Sequence, residues 1–307
     1  MRIRHEGGKA LPIVLASTFK NHEQYHSTMR SILVAGILAL TTSVNAQYGT
    51  TDPKVVAAAK GTSTIVFLDA ADGPYNAALK SAVQNHWKFT SGVTFQPLSA
   101  LAAMPVDPTK TYILKTRRNG GEKHDAYFLT VVLGWKAKKG ETLASENDAI
   151  INLPPDQEVA SIMIDPKLSN GAGAAMVNLY VKNLQDYMKQ VQDGKIKDKA
   201  TADRLYASRN RHVKETDLWV AKEQLDKSLP DLATVKQTYT KPLQLMDLNQ
   251  LMAAATKGED GVTIADVVMT GDYKTKWCFR RVFNAKTGEL MYMRDEASLH
   301  EKKQGFI

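Results

Sequence analysis

The chain is almost without cysteine: Cys278 is the only one in 307 residues. A single thiol forms no internal disulfide, no dithiol redox pair and no cysteine-based zinc site, so the core must be held by packing. Aromatic residues make up only 7 % of the chain and are not interleaved with a basic stripe, which argues against a surface that stacks nucleic-acid bases. No G-x-S-x-G elbow, P-loop, EF-hand loop or C-x-x-C pair occurs, which removes the best-marked hydrolase, nucleotide, calcium and redox chemistries. Charge of one sign is not in large excess either. Forty Lys/Arg against 32 Asp/Glu give +8, which suits acidic partners or anionic surfaces but lacks the clustering of a nucleic-acid binder.

Long apolar runs are also missing. The most prominent, Ser31 to Leu40, is about half the roughly 20 residues a membrane span requires, and no span is expected. It sits inside "MRSILVAGILALTTSVNAQ", residues 29–47, behind Met29 and Arg30 and ahead of Val44 and Ala46. A short positive start, an apolar centre and small residues three and one before a cleavage point describe a signal peptide. The expected start is Met29 and the expected mature N-terminus Gln47, with residues 1–46 removed. That prefix holds five of the Lys/Arg and two of the Asp/Glu, so the mature chain carries +5. Export through an inner membrane, to the periplasm or the outer membrane, fits a chain with one cysteine and no lipid-anchoring cysteine after the cleavage point. Its composition is similar to that of exported proteins of Gram-negative bacteria.

This placement disqualifies the sharpest catalytic motif. "HEQYH", residues 22–26, matches the H-E-x-x-H of zinc proteases, in which two histidines one helical turn apart share a metal. It lies upstream of the signal peptide and is absent from the expected mature chain.

The mature chain reads as α/β, with two related lobes of mixed sheet and packed helices: 47–198 forms the first, and 199–307 holds a basic linker and the second. In the first, "TSTIVFLDA", "VTFQPL" and "KTYILKT" read as strands alternating with helices at "DGPYNAALKSAVQNHWKF" and "SALAAM". "DAYFLTVVLGWKA", "DAIINL" and "EVASIMID" are expected to pair as antiparallel neighbours. Helical periodicity over 171–192 predicts a long helix with one stripe on a sheet. "FTSGVTFQPLSAL" (89–101) aligns without a gap on "YTKPLQLMDLNQL" (239–251), with Leu79 and Ala82 set against Leu229 and Leu232. The element order agrees as well, which predicts an internal duplication. "WCFRRVFNAKTGELMYM" reads as a hairpin turning at residues 284–288.

Four places could carry chemistry. "VFLDAADG" ends a strand with Asp69 and Asp72, where α/β enzymes build sites. It resembles the haloacid-dehalogenase phosphotransferase motif, which implies a nucleophilic aspartate and an acid/base aspartate two residues on. Here the two are three apart, and no clear downstream lysine with a paired-acid magnesium site follows. The alternative is that Asp72 caps the helix beginning near Pro74. "NGAGAAM" (170–176) resembles a dinucleotide G-x-G-x-x-G, but Met176 stands where the last glycine belongs, and a packed helix start is the better reading. The mature histidines His86, His124, His212 and His300 have no metal-ligand spacing, and no metal or cofactor is implied. Finally, 189–214 carries eight Lys/Arg against three Asp. It is read as a solvated linker around a short helix (201–207), or as a patch in which Lys195, Lys197, Lys199, Arg204, Arg209 and Arg211 meet an acidic partner.

Three functions are consistent with these features. The first is an exported non-enzymatic protein of the cell envelope that binds a protein or an anionic surface as a scaffold or assembly component. The second is a small-ligand binder with its site between the lobes, near Asp69 and Asp72 in one and Lys222 to Gln224 in the other. The third is a metal-assisted phosphohydrolase using Asp69 and Asp72.

Overall fold

A computed structural model describes residues 49–71, 73–103, 106–118, 126–138, 141–165, 174, 176–226, 228–229, 231–271, 275–299 and 305–306. The expected signal peptide, within residues 29–46, and the HEQYH motif fall outside them. Two compact units divide the chain between Val44 and Asn45, and everything below concerns the second.

The first sheet uses β1 (Ser63–Leu68), β2 (Val93–Pro97), β3 (Lys110–Arg118), β4 (Ala126–Leu133), the two-residue strands β5 (Ser145–Glu146) and β6 (Ala149–Ile150), and β7 (Glu158–Ile164). Its helices are α1 (Pro53–Lys60), α2 (Pro74–His86) and α3 (Ala100–Ala103). α4 (Met176–Gln192) follows, and then α5 (Lys199–Val213), β8 (Asp217–Ala221), α6 (Leu232–Thr238), β9 (Leu243–Met246), α7 (Leu248–Lys257), β10 (Val262–Gly271), β11 (Thr275–Asn284) and β12 (Leu290–Leu299).

The two sheets have the same plan. One runs β2-β1-β3-β4-β7 and the other β9-β8-β10-β11-β12. In both, the first three strands are parallel and the last two antiparallel. The parallel strands are joined by helical crossovers, as such pairs require. A buried detail recurs too. Thr62 Oγ1 donates to the Ala59 carbonyl at the end of α1 and meets Thr111 Oγ1 of β3 at 2.6 Å. In the second sheet Thr216 Oγ1 donates to the Val213 carbonyl at the end of α5 and meets Thr263 Oγ1 of β10 at 2.9 Å.

Local chemistry explains the element ends. Asp52, Asp198, Asp231 and Asp247 each cap a helix by accepting a backbone N–H from its first turn. Gly258 ends α7 in the left-handed region that glycine enters without strain.

Three expectations are corrected. "DAIINL" is not an antiparallel neighbour of the long strands: only Ala149 and Ile150 form a strand, which pairs in parallel with β3 at Thr116 and antiparallel with β5. The helix in the basic stretch runs 15 residues, because Asp198 and Thr201 start it with a capping box and Ala202, Tyr206, Arg209 and Val213 give it a buried face. The long helix does not present one stripe. Thirteen of the 17 residues of α4 are buried: its first nine are enclosed on every side, and only Gln185, Asp186, Lys189 and Gln192, on one face of its second half, reach the surface.

α4 lies in the core shared by the two sheets. Its apolar residues join Val66, Ile113 and Leu129 of the first sheet with Ile264 and Phe283 of the second in one cluster. Its polar residues are buried by bonding to the second sheet's loops and strands: Lys182 Nζ to the Ala285 carbonyl and Asn183 to the Gly288 carbonyl, both at 3.1 Å. Gly288 has φ of 72° and a Cβ there would lie 2.2 Å from Lys182 Cβ, so this hairpin turn has room only for glycine. Arg281, with no exposed surface, is the hub of the contact. Its Nε donates to Asp266 at 2.9 Å and its Nη1 to the Met163 carbonyl of β7 at 2.8 Å, and Tyr180 of α4 donates its hydroxyl to the same Asp266.

Candidate functional site

Asp69 is the residue after β1, at the carboxyl end of the parallel strands. β1 leads through α2 to β2 on one side, while β3 lies on the other, and this divergence is where open α/β sheets form their crevice. The Asp69 carboxylate, 10 % exposed, receives Lys115 Nζ of β3 at 2.6 Å. The ammonium also lies 4.8 Å from the centre of the Tyr75 ring. Asn76, buried in α2, fixes the strand end: its Oδ1 accepts from Asp69 N, and its Nδ2 donates to the Asp69 and Ala71 carbonyls. Asp148, at φ of 59°, accepts from Ala70 N. Burial raises the Asp69 carboxyl above its ordinary range, against the lowering effect of Lys115. The Tyr75 phenol is pushed up by burial and by Asp69, and its oxygen is enclosed without a hydrogen-bond partner among the described residues.

Asp72 falls outside the described residues, as do Asn170 to Gly173, Ala175, His124 and His300; the helix it was read as capping has Gly73 at its N-cap. Among the described residues no three His, Cys, Asp or Glu side chains are grouped to hold a metal. The Asp69 carboxylate is held in an ion pair with Lys115. Sequence spacing could not reveal Lys115, because the pairing depends on β1 and β3 lying in register, Val66 beside Ile113.

Of the described histidines His86 is partly buried and His212 lies at the surface, while the cysteine is buried. His86 ends α2, its pKa lowered by burial and by Lys182 and Lys88. His212 contacts Glu215. Cys278 is buried, which raises its thiol pKa.

The basic stretch divides. Arg209 is buried and paired with Asp186 and Glu289, so it holds α5 against α4 and the β11–β12 hairpin. Lys199 pairs with Asp203, and Lys189 with Asp193. Lys195, Lys197, Arg204 and Arg211 are exposed, as is Lys214 beyond the helix. None of these five has an ion pair among the described residues. Arg204 and Arg211 are seven apart on α5, hence on one face of it.

Two pockets bear on the residues considered above. One, of about 450 Å³, has Arg117 and Arg118 in its wall, but these are engaged with Glu146 and Glu158. The other, of about 510 Å³, lies at the carboxyl ends of β8 and β9 and includes Lys222. No residue of the first sheet lines it, so Asp69 and Lys222 do not share this pocket.

Comparison with known proteins finds no matching family model, no matching curated protein and no matching solved structure.

Proposed function

We propose that the protein is an exported, non-enzymatic component of the bacterial cell envelope that binds an acidic protein or an anionic surface through the exposed basic face of α5 and its flanks. The observation that carries this reading is the charge left over once the fold's own pairs are made. Asp193 and Asp203 are taken by Lys189 and Lys199, and Asp198 by the α5 cap. Lys195, Lys197, Arg204 and Arg211 remain exposed and form no ion pair among the described residues. Each cation of this kind contributes about 1 kcal/mol beside an anionic surface, so four together give a substantial, salt-sensitive attraction.

The test is fractionation of the native host cells, with residues 195, 197, 204 and 211 changed to Glu in a parallel strain. The native protein is expected in the envelope fraction with Gln47 as its first residue by intact mass, and to be released by salt. The variant is expected in the soluble fraction. Equal retention of both, or a purified protein that still carries residues 1–46, overturns the reading.

A further inference from the structure

We propose that the pocket of about 450 Å³ receives the chain's own N-terminus once the leader is removed, with the ring of Tyr48 on its apolar wall and the α-ammonium of Gln47 beside Asp156. The inference rests on the export reading, which makes Gln47 the first residue. The chain is fixed beside this pocket from its first described residue. Thr50 N donates to the Val159 carbonyl of β7 at 3.0 Å, and the Tyr187 hydroxyl of α4 lies 3.1 Å from the carbonyl oxygens of both Gly49 and Thr50. A Cβ on Gly49 would lie 2.0 Å from the Val159 carbonyl oxygen, so only glycine allows this close approach to β7. Gly49 and Thr50 line the pocket together with Asp156 and Glu158. Two extended residues span at most about 7 Å, so a chain that starts at Gln47 starts within that distance of the pocket wall.

The chemistry of the wall matches that segment. Arg117 pairs with Glu146 at 3.0 Å and Arg118 with Glu158, so both guanidiniums have their counter-ions. Asp156 accepts a hydrogen bond from Gln157 Nε2 at 2.9 Å and has no ion pair among the described residues. One carboxylate is thus left for one cation. Ile150, Ile151, Leu153 and Pro155 supply an apolar wall. Ile151, 41 % exposed, is the one large hydrophobic side chain left open to water among the described residues. An ammonium followed by a phenol ring offers a charge for the first feature and an apolar face for the second. A leader that is still attached replaces this ammonium by an uncharged peptide N–H, so cleavage itself completes the contact.

The experiment follows cyclisation of Gln47 by intact mass. In that reaction the free α-amine attacks the side-chain amide carbon, a new C–N bond forms, the amide C–N bond breaks and ammonia leaves; an amine held as ammonium does not attack. The chain from Asn45 onward is a compact unit by itself, and a chain beginning at Gln47 is released from a fusion partner, with the tetrapeptide Gln-Tyr-Gly-Thr as the free reference. The protein is expected to cyclise roughly two- to fivefold more slowly than the tetrapeptide, the factor an exposed ion pair supplies. Asp156→Asn is expected to return the rate to that of the tetrapeptide, and Ile151→Ser to raise it. Both side chains are exposed, and circular dichroism is expected to stay native. Retaining residues 41–46 is expected to lower the melting temperature, and Asp156→Asn to lower it for the chain that begins at Gln47 but not for the extended one. Cyclisation at the tetrapeptide's rate overturns the proposal, as does an effect of Asp156→Asn on melting that is equal in both chains. Protection that fades on dilution also overturns it, because the terminus then enters a second copy. The N-termini are set in vitro, so a host protein that keeps residues 1–46 removes the export reading while the pocket is judged on these chains alone.

Discussion

Asp69 shows how burial and pairing divide the behaviour of one side chain. Lys115 favours its charged form, but burial outweighs this and the pKa rises from its ordinary 3.8. A carboxyl with a raised native pKa takes up its proton more readily in the folded than in the unfolded chain. Its contribution to stability is therefore lost as pH rises from 3.8 through the native value, and does not change above it. The stability of the native protein relative to Asp69→Asn is accordingly expected to fall with rising pH across that window. Urea unfolding between about pH 3.5 and about pH 7 checks this, and a difference that grows with pH would contradict the sign. The sequence marked Asp69 through its place at a strand end. Lys115, Asn76 and Asp148 were not legible, because they lie between 7 and 79 residues away and are brought in only by sheet register and a loop.

At the scale of elements, α4 is the part that local periodicity described least well. Its apolar positions predicted one buried stripe, and that stripe exists. Over the first half of the helix the other side is buried as well, through the polar side chains of Asn178, Lys182 and Asn183. They are tolerated there because partners from the second half of the chain accept their hydrogen bonds, as buried polar groups require. The Arg281–Asp266–Tyr180 cluster fixes the same contact. Arg281→Met leaves the Asp266 carboxylate buried without its cation and is expected to cost about 3–5 kcal/mol in urea unfolding. Adding Asp266→Asn, which keeps an acceptor for Tyr180, is expected to recover at least half of that loss. No recovery in the double variant would show that the cluster acts by something other than charge compensation. The threonine pairs at 62/111 and 216/263 add an element-level likeness between the sheets that the sequence alignment, made over 89–101 and 239–251, did not include.

For the whole molecule, the shared core bears on cooperativity. Val66 and Ile113 pack in the same cluster as Ile264 and Phe283, with α4 among them, so neither sheet keeps its core when the other unfolds. The part of the chain that holds the two sheets is expected to melt in one transition whose calorimetric and van't Hoff enthalpies agree. Two resolved transitions would mean that the sheets are independent domains. The amino-acid sequence by itself determined the class of fold, the alternation of strands and helices, the terminal hairpin and the likeness of the two halves, since each rests on local period, turn residues and caps. It determined equally that one cysteine leaves the core to packing. Only the tertiary structure decided that α4 is central, that Arg209 belongs to the interior and its neighbours to the surface, and that Gly49 lies against β7 beside a pocket that Asp156 also lines. Those outcomes depend on which distant groups come within bonding distance and on the volume left between them, and neither quantity is written in any local stretch of the chain.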